Sequence, residues 1–430
     1  MNDLSAEAQA TAIHLGAFDW WREAPRSAKK TLLAASLGWM LDSFDVMLYS
    51  LVLASLMADL HLSKGTAGIL GSVTLLAAAV GGLTFGIIAD RFGRTRALMA
   101  SILIYAVFTA ACGLAHNFVQ LAVFRILLGL GMGGEWASGA SLVSETWPAQ
   151  HRGKALGFMQ SSWAIGYALA ALVVAVVMPV GGWRAVFFVG VLPAFFTLWI
   201  RHDIEEPEVW KQTRTTISST FGGFAELFRG SLLRSTIVLT LMNACCLFAW
   251  WGFNLWVPAY LSLPVSHGGI GLTSTAMSIV VIVMQVGMWF GYVTFGFVSD
   301  AVGRKKTYIT YLLVASTLLF VYGTTRTPIL LLILGPFVAF FGTGYFTGFA
   351  AVTAETYDTR VRATAQGFTY NAGRIVSAAA PFTVGSIAQR HGFGAAFSAG
   401  AISFLLAAFF WIWIPETKAK ALAEATQPIS

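Results

Sequence analysis

Apolar runs separated by short polar intervals dominate the chain. They fall at about 31–58, 66–89, 97–115, 118–144, 154–179 and 183–201, and again at about 234–263, 270–299, 307–323, 328–354, 364–388 and 393–415. Each is long enough to cross a hydrocarbon layer of roughly 30 Å as a helix, some with tilt. The pattern predicts an all-α membrane protein of twelve transmembrane helices. Only the interval 202–233 is long and hydrophilic, with Asp203, Glu205, Glu206, Glu208, Lys211, Arg214 and Arg229. It is expected to link two six-helix bundles, 31–201 and 234–415, between a leader of residues 1–30 and a tail of residues 416–430. The connections on the other side are too short to hold a domain, so function is expected between the helices.

Two charged loops recur at one offset. In the loop with Arg91, residues Gly86, Asp90, Gly93, Arg94 and Arg96 are answered 210 positions later by Gly296, Asp300, Gly303, Arg304 and Lys306, beside Lys305. At the same shift, Glu145, Arg152 and Gly157 are answered by Glu355, Arg362 and Gly367. Recurrence in register marks a duplicated chain with pseudo-symmetric halves. Both signals resemble the major facilitator superfamily, whose signature G-x-x-x-D-R-x-G-R-[KR]-[KR] joins helices 2 and 3 and again 8 and 9. The copies depart from it at Thr95 and at Ala301, which stands where the first copy has Arg91. Arg125, Gly129 and Gly131 in the fourth run match the family's R-x-x-x-G-x-G pattern. This resemblance implies alternating access between two bundles, with the loops as gates on the cytoplasmic side.

Composition excludes a soluble globule: 57% of the 430 residues are hydrophobic and 11% charged, and the mean hydropathy is +0.71. A net charge of +7 would point to nucleic acid in a soluble chain, but the spans give the cations another assignment. With a cytoplasmic N-terminus, 21 Lys and Arg lie on the cytoplasmic side and four outside (Lys64, Arg184, Arg326 and Arg390). By the positive-inside rule both termini are expected in the cytoplasm, the protein being multi-pass in the plasma (inner) membrane. No cleavable signal peptide is visible. In the leader, Phe18, Trp20 and Trp21 beside Arg22 and Arg26 read equally as an interfacial anchor or as disordered chain. Cys112, Cys245 and Cys246 lie in apolar runs without disulfide or metal spacing. No phosphate-binding loop, H-E-x-x-H motif or histidine cluster is present, so neither an enzyme, a metal, a cofactor, ATP use nor a nucleic-acid partner is expected. Nothing obliges the protein to be more than a monomer.

Five ionisable residues fall at membrane depth: Asp42, Asp45, Arg125, Glu135 and Arg374. Each is costly there and is kept only if paired or used. Asp42 and Asp45 share a helix face, and two carboxylates so close cannot both be charged cheaply, so one is expected to carry a proton. At 1.5 Å per residue, Asp45 and Arg125 both come to roughly 20 Å from the cytoplasmic side, and Asp42, Asn243 and Arg374 to about 14–17 Å. An Asp45–Arg125 pair and a layer of Asp42, Arg374 and Asn243 facing a central cavity are expected, or the same scheme with the aspartates exchanged. Arg374 has no acid in the second half's spans, and its planar fork suits a carboxylate; a structural salt bridge between the halves is the competing role. Glu135 reads as a proton relay or a cytoplasmic gate. Asn243, Asn254, Gln285, Tyr345, Tyr370 and Asn371 are further polar candidates for a ligand, at the same level as Trp39, Tyr49, Trp250 and Trp251.

The first span, with Trp39, Asp42, Ser43, Phe44, Asp45 and Tyr49, resembles the D-[GS]-[FY]-D element of the superfamily's proton-coupled organic-acid branches, which carry aromatic acids, sialate and monocarboxylates. Glu206, Pro207 and Glu208, and Pro415 and Glu416, fit the same neighbourhood. What this implies is symport of one proton with a small organic acid, lactate- or pyruvate-like in the first instance, aromatic or sialate in the alternative. A sugar or drug carrier would use the same scaffold, and a membrane sensor would bind without transport.

Overall fold

The computed structural model describes residues 19–147, 151–195, 199, 226–357 and 359–417. Most of the expected linker, the first residues of the leader, the tail beyond Thr417, and Glu206, Pro207 and Glu208 lie outside them.

The chain is helical throughout the described residues. After a short turn α1 (Asp19–Arg22) come α2 (Arg26–Asp59), α3 (Lys64–Phe92), α4 (Arg94–Cys112), α5 (Phe118–Thr146) and α6 (Arg152–Val189), then α7 (Gly230–Ser262), α8 (Ser274–Val302), α9 (Arg304–Thr324), α10 (Pro328–Thr343), α11 (Phe349–Thr356), α12 (Thr359–Ser377) and α13 (Ala380–Phe410). Ten described stretches are long and apolar enough to span a membrane. Two of them, Lys154–Phe195 with 42 residues and Thr364–Phe410 with 47, would measure over 60 Å as single rods, about twice the layer. Each instead turns back at a glycine of positive φ, Gly182 (67°) and Gly392 (82°). Counting both arms gives twelve crossings.

The duplication is visible in the backbone. Gly93 (φ 117°, ψ 148°) and Gly303 (φ 114°, ψ 148°) each end one helix and open the next, in a conformation essentially confined to glycine. Ser63 and Thr273 cap α3 and α8 identically, each accepting a bond from the amide three residues on, at 3.1 and 3.2 Å. Both pairs, and Gly182 with Gly392, keep the offset of 210 residues.

Two long helices are less regular than the apolar runs suggest. The run expected at 328–354 is interrupted by 3₁₀ geometry at Gly344–Gly348. The run expected at 364–388 breaks between Ser377 and Ala380, because Pro381 has no amide to donate and restricts the residue before it. Broken helices at membrane depth occur where backbone lines a protein interior.

One face carries the signature loops at Gly93 and Gly303; the halves meet firmly towards the other. There Lys64 Nζ donates to the carbonyls of His267 (2.8 Å) and Ala388 (3.4 Å), and the Gly65 amide to Gln389 Oε1 (3.1 Å). The Phe382 amide donates to Ser72 Oγ (3.2 Å), and Ser50 Oγ to the Leu255 carbonyl (2.8 Å). At the signature face, Trp20 and Trp21 pack on Trp147, with centroids 5.4 and 6.3 Å apart, so this part of the leader folds onto the bundle.

Candidate functional site

Midway through the fold a narrow cleft separates the halves. Trp39, Met132, Gln160 and Trp163 line it from the first half. Leu247, Trp250, Trp251, Tyr292, Phe346, Tyr370 and Arg374 line it from the second. Trp39 and Trp163 lie 4.7 Å apart by centroid, and Trp163 meets Trp251 edge to face at 5.9 Å across the halves. The free space is about 30 Å³, room for little more than a water molecule, so the walls must part to admit a larger ligand. A wider cavity of about 530 Å³ opens on the opposite face, but Leu51, Met57, Met178, His267 and Met277 are typical of its lining, which contains no Asp, Glu, Lys or Arg. Charge at membrane depth, the more costly feature, belongs to the narrow cleft.

Arg374 stands in the last turn of α12, immediately before the helix break. It is 5% exposed, and among the described residues its guanidinium makes no ion pair. It acts electrostatically on Asp42 of the other half. Asn243, whose Oδ1 is buried without a partner, packs against the same helix at Gly373.

Behind the first half's wall lie three fully buried carboxyl groups, Asp42 and Asp45 on α2 and Glu135 on α5. No protein group hydrogen-bonds any of their six oxygens. Glu135 occupies the notch left by Gly38, where an added Cβ would stand 2.5 Å from Oε1. Asp45 lies beside Gly190, an added Cβ there standing 3.0 Å from Oδ1 and against the Thr109 methyl. The expected Asp45–Arg125 pair is not formed. Arg125 instead donates from Nε to Thr74 Oγ1 (3.0 Å) and lies over the Tyr49 ring at 4.2 Å. The guanidinium thus settles on Tyr49, one turn of α2 beyond Asp45 on the same face.

The remaining polar candidates divide. Tyr370 lines the cleft with Arg374. Asn254 lies at the seam towards the opposite face, its carbonyl accepting from Ser50 (3.1 Å) and its amide meeting Met47 Sδ (3.4 Å). Gln285 and Asn371 turn back on their own helices, onto the carbonyls of Val281 (3.3 Å) and Gly367 (2.9 Å). The Tyr345 hydroxyl donates to the Cys246 carbonyl at 3.3 Å. None of these four lines the cleft. Gln160 and Trp163 do, although the sequence reading left them out. The duplication held the clue, since Gln160 is the counterpart of Tyr370 at the 210-residue offset.

At the signature face, Arg304 bridges Asp300 (2.6 Å) and Glu355 (3.0 Å), and its amide donates to Glu416 Oε1 (2.8 Å). Arg362 Nε reaches the Tyr357 carbonyl at 3.3 Å. Arg91 is exposed, and Gly86 lies inside α3 with open space on its face. The side chains of Asp90, Arg94, Glu145 and Arg152 lie outside the described residues.

The family model "Major Facilitator Superfamily" matches residues 35–293 and 262–429. A cis,cis-muconate transport protein of Acinetobacter baylyi is 32% identical over 378 residues, 86% of this chain and 90% of that one. A sialic acid transporter of Escherichia coli is 31% identical over 379 residues, covering 87% and 91%. Among solved structures, a xylose transporter from E. coli superposes with a TM-score of 0.75 at 22% identity, over 93% of this chain and 100% of that one.

Proposed function

The chain belongs to the major facilitator superfamily, a family of membrane transporters, and from that premise we propose that it is a proton-coupled symporter of a planar, unsaturated or aromatic monocarboxylate. Arg374 carries the reading. A guanidinium at membrane depth, walled by tryptophans and faced by a buried carboxyl group of the other half, is suited to gripping a carboxylate in two-point fashion. Tryptophan faces and edges at 4.7 and 5.9 Å match the separations at which flat rings attract one another. They favour a conjugated acid over a lactate-like one. The muconate and sialic acid carriers among its relatives support an organic acid as cargo.

Coupling follows from the buried acids. Three carboxyl groups without hydrogen-bond partners, with Arg374 as the one guanidinium acting on Asp42, cannot all be charged. Moving an anion inward against a potential of 100 mV costs about 2.3 kcal/mol, and a proton moving with it cancels that charge. In the cycle we propose, an aspartate of α2 takes a proton from outside and Arg374 binds the carboxylate. The neutralised site then lets the halves rock, and release to a less acidic cytoplasm returns the proton. In this reading the signature loops and both termini face the cytoplasm, in keeping with the positive-inside count. The hydrogen bonds joining the halves towards the opposite face then describe a carrier closed to the outside.

A competition panel in proteoliposomes tests the substrate class. Under an inward proton gradient, benzoate-type acids are expected to suppress uptake of a labelled benzoate far more strongly than lactate or glucose. Equal competition by lactate would remove the role of the tryptophan walls, and dominance of sialate would favour a larger, non-planar acid.

A further inference from the structure

Tyr105, in the middle of α4, took no part in the sequence reading, yet it is fully buried and its hydroxyl has no hydrogen-bond partner. Such a hydroxyl at membrane depth is costly unless it is used. Its backbone is pinned from two sides. Ser101 Oγ, one turn earlier, donates to the Gly131 carbonyl at 2.8 Å, and a Cβ at Gly131 would stand 2.8 Å from the Tyr105 amide. One turn beyond Gly131 on α5 is Glu135. One turn beyond Tyr105 on α4 is Thr109, whose hydroxyl bonds back to the Tyr105 carbonyl at 2.8 Å and whose methyl lies in the Gly190 notch with Asp45.

These contacts set levels. Asp45 sits with Thr109 towards the opposite face, and Glu135 sits with Gly38 towards the signature face. Along α2, Gly38 to Asp45 is about 10 Å, with Asp42 between them. A helical side chain leans towards its own N-terminus, which for α4 is Arg94 at the signature face. The Tyr105 ring therefore leans from the level of Gly131, one turn short of Asp45, towards that of Glu135. The charged groups acting on its hydroxyl are Asp42, Glu135 and Asp45. Arg125 and Cys112 lie nearer Tyr49, and Arg374 acts on Asp42.

The geometry points to Tyr105 as a positioning and relay group that passes the coupled proton between the α2 aspartates and Glu135. This rests on the symport reading above. The hydroxyl stands outside hydrogen-bond reach of both carboxyl groups in this closed state, so transfer follows their approach as the halves move. Protonated Asp42 then gives its proton to the phenol oxygen as the phenol proton passes to the Glu135 carboxylate. One O–H bond breaks and one forms at the tyrosine, which ends neutral; Asp42 ends as carboxylate and Glu135 as acid. A hydroxyl that both donates and accepts can do this without holding charge.

Tyr105→Phe removes the hydroxyl, keeps the ring and breaks no protein hydrogen bond. Two assays in proteoliposomes separate its effects. Counterflow of labelled benzoate at equal pH needs only the loaded carrier to turn over, whereas gradient-driven net uptake also needs proton release. The variant is expected to keep counterflow within about twofold and to lose at least about tenfold in net uptake, the low side of what a positioned proton-transfer group contributes. Wild-type net uptake in the variant would overturn the relay and leave symport standing. A parallel loss in both assays would also overturn it, showing that the hydroxyl serves packing. Absence of gradient-driven uptake in wild type would sink symport and the relay with it.

Discussion

Lys64 offers a direct handle on the seal between the halves. Its ammonium donates to the His267 carbonyl at 2.8 Å and the Ala388 carbonyl at 3.4 Å, and lies 5.0 Å from the Phe393 ring centroid. All three partners belong to the second half. Lys64→Met keeps most of the stem and deletes the charge and its donors. A charge-assisted hydrogen bond contributes about 1.5–3 kcal/mol when buried and a cation–π contact about 0.5–1 kcal/mol when exposed. Because Lys64 is half-exposed, solvent screening reduces the sum to about 1–2 kcal/mol. These contacts exist only while this face is closed, so the loss shifts the equilibrium towards the open state by roughly five- to thirtyfold. The assay is pulsed electron–electron distance measurement between spin labels at His61→Cys and Arg390→Cys, exposed positions on the two halves, in a background without the three native cysteines. The variant is expected to gain population at longer distances. An unchanged distribution would show that Lys64 does not latch the halves and that apolar packing alone seals this face.

Three further outcomes are expected. Gly38→Ala pushes a methyl against Glu135 Oε1, the flexible end of a side chain, so thermal stability should hardly change while gradient-driven uptake falls about tenfold; unaltered uptake would free Glu135 from the proton path. Gly303→Ala imposes a Cβ at φ 114° and 2.7 Å from Glu416 Oε2, and should cost about 1–3 kcal/mol in unfolding measurements, whereas Gly296→Ala, in open space, should be neutral. Trp163→Ala removes a cleft wall and should weaken binding of a benzoate-type acid by roughly two- to twelvefold, the worth of one aromatic pair, with little effect on a non-planar acid such as lactate, as read by isothermal titration.

What the sequence revealed and concealed has a physical boundary. Span number follows from the length of apolar runs against a fixed layer thickness, and duplication from two loops at one shift, so both were legible. The deep ionisable residues were legible because each is costly enough to stand out. Exact partners were not. Arg374 acts electrostatically on Asp42 without an ion pair between them among the described residues, while Arg125 settles one helical turn beyond Asp45, on Tyr49, and on Thr74. Nor could depth alone tell that Asn254, Gln285, Tyr345 and Asn371 do not line the cleft. Helix breaks at Gly344–Gly348 and after Ser377 were hidden inside runs whose hydropathy never falters, although Pro381 marks the second. Tyr105 was missed because a tyrosine in an apolar run is ordinarily packing; only its partnerless hydroxyl, visible in three dimensions, distinguishes it.

The proposed grip of Arg374 on a carboxylate whose entry is driven by a proton can be read from uptake of labelled benzoate into proteoliposomes under an imposed inward proton gradient, with glucose as control, for wild type and Arg374→Lys. Lysine keeps the positive charge but not the planar two-point donor. Gradient-driven accumulation in wild type, lost in Arg374→Lys, is the predicted result. Full accumulation by Arg374→Lys, or accumulation of the neutral solute in place of any acid, would contradict the account.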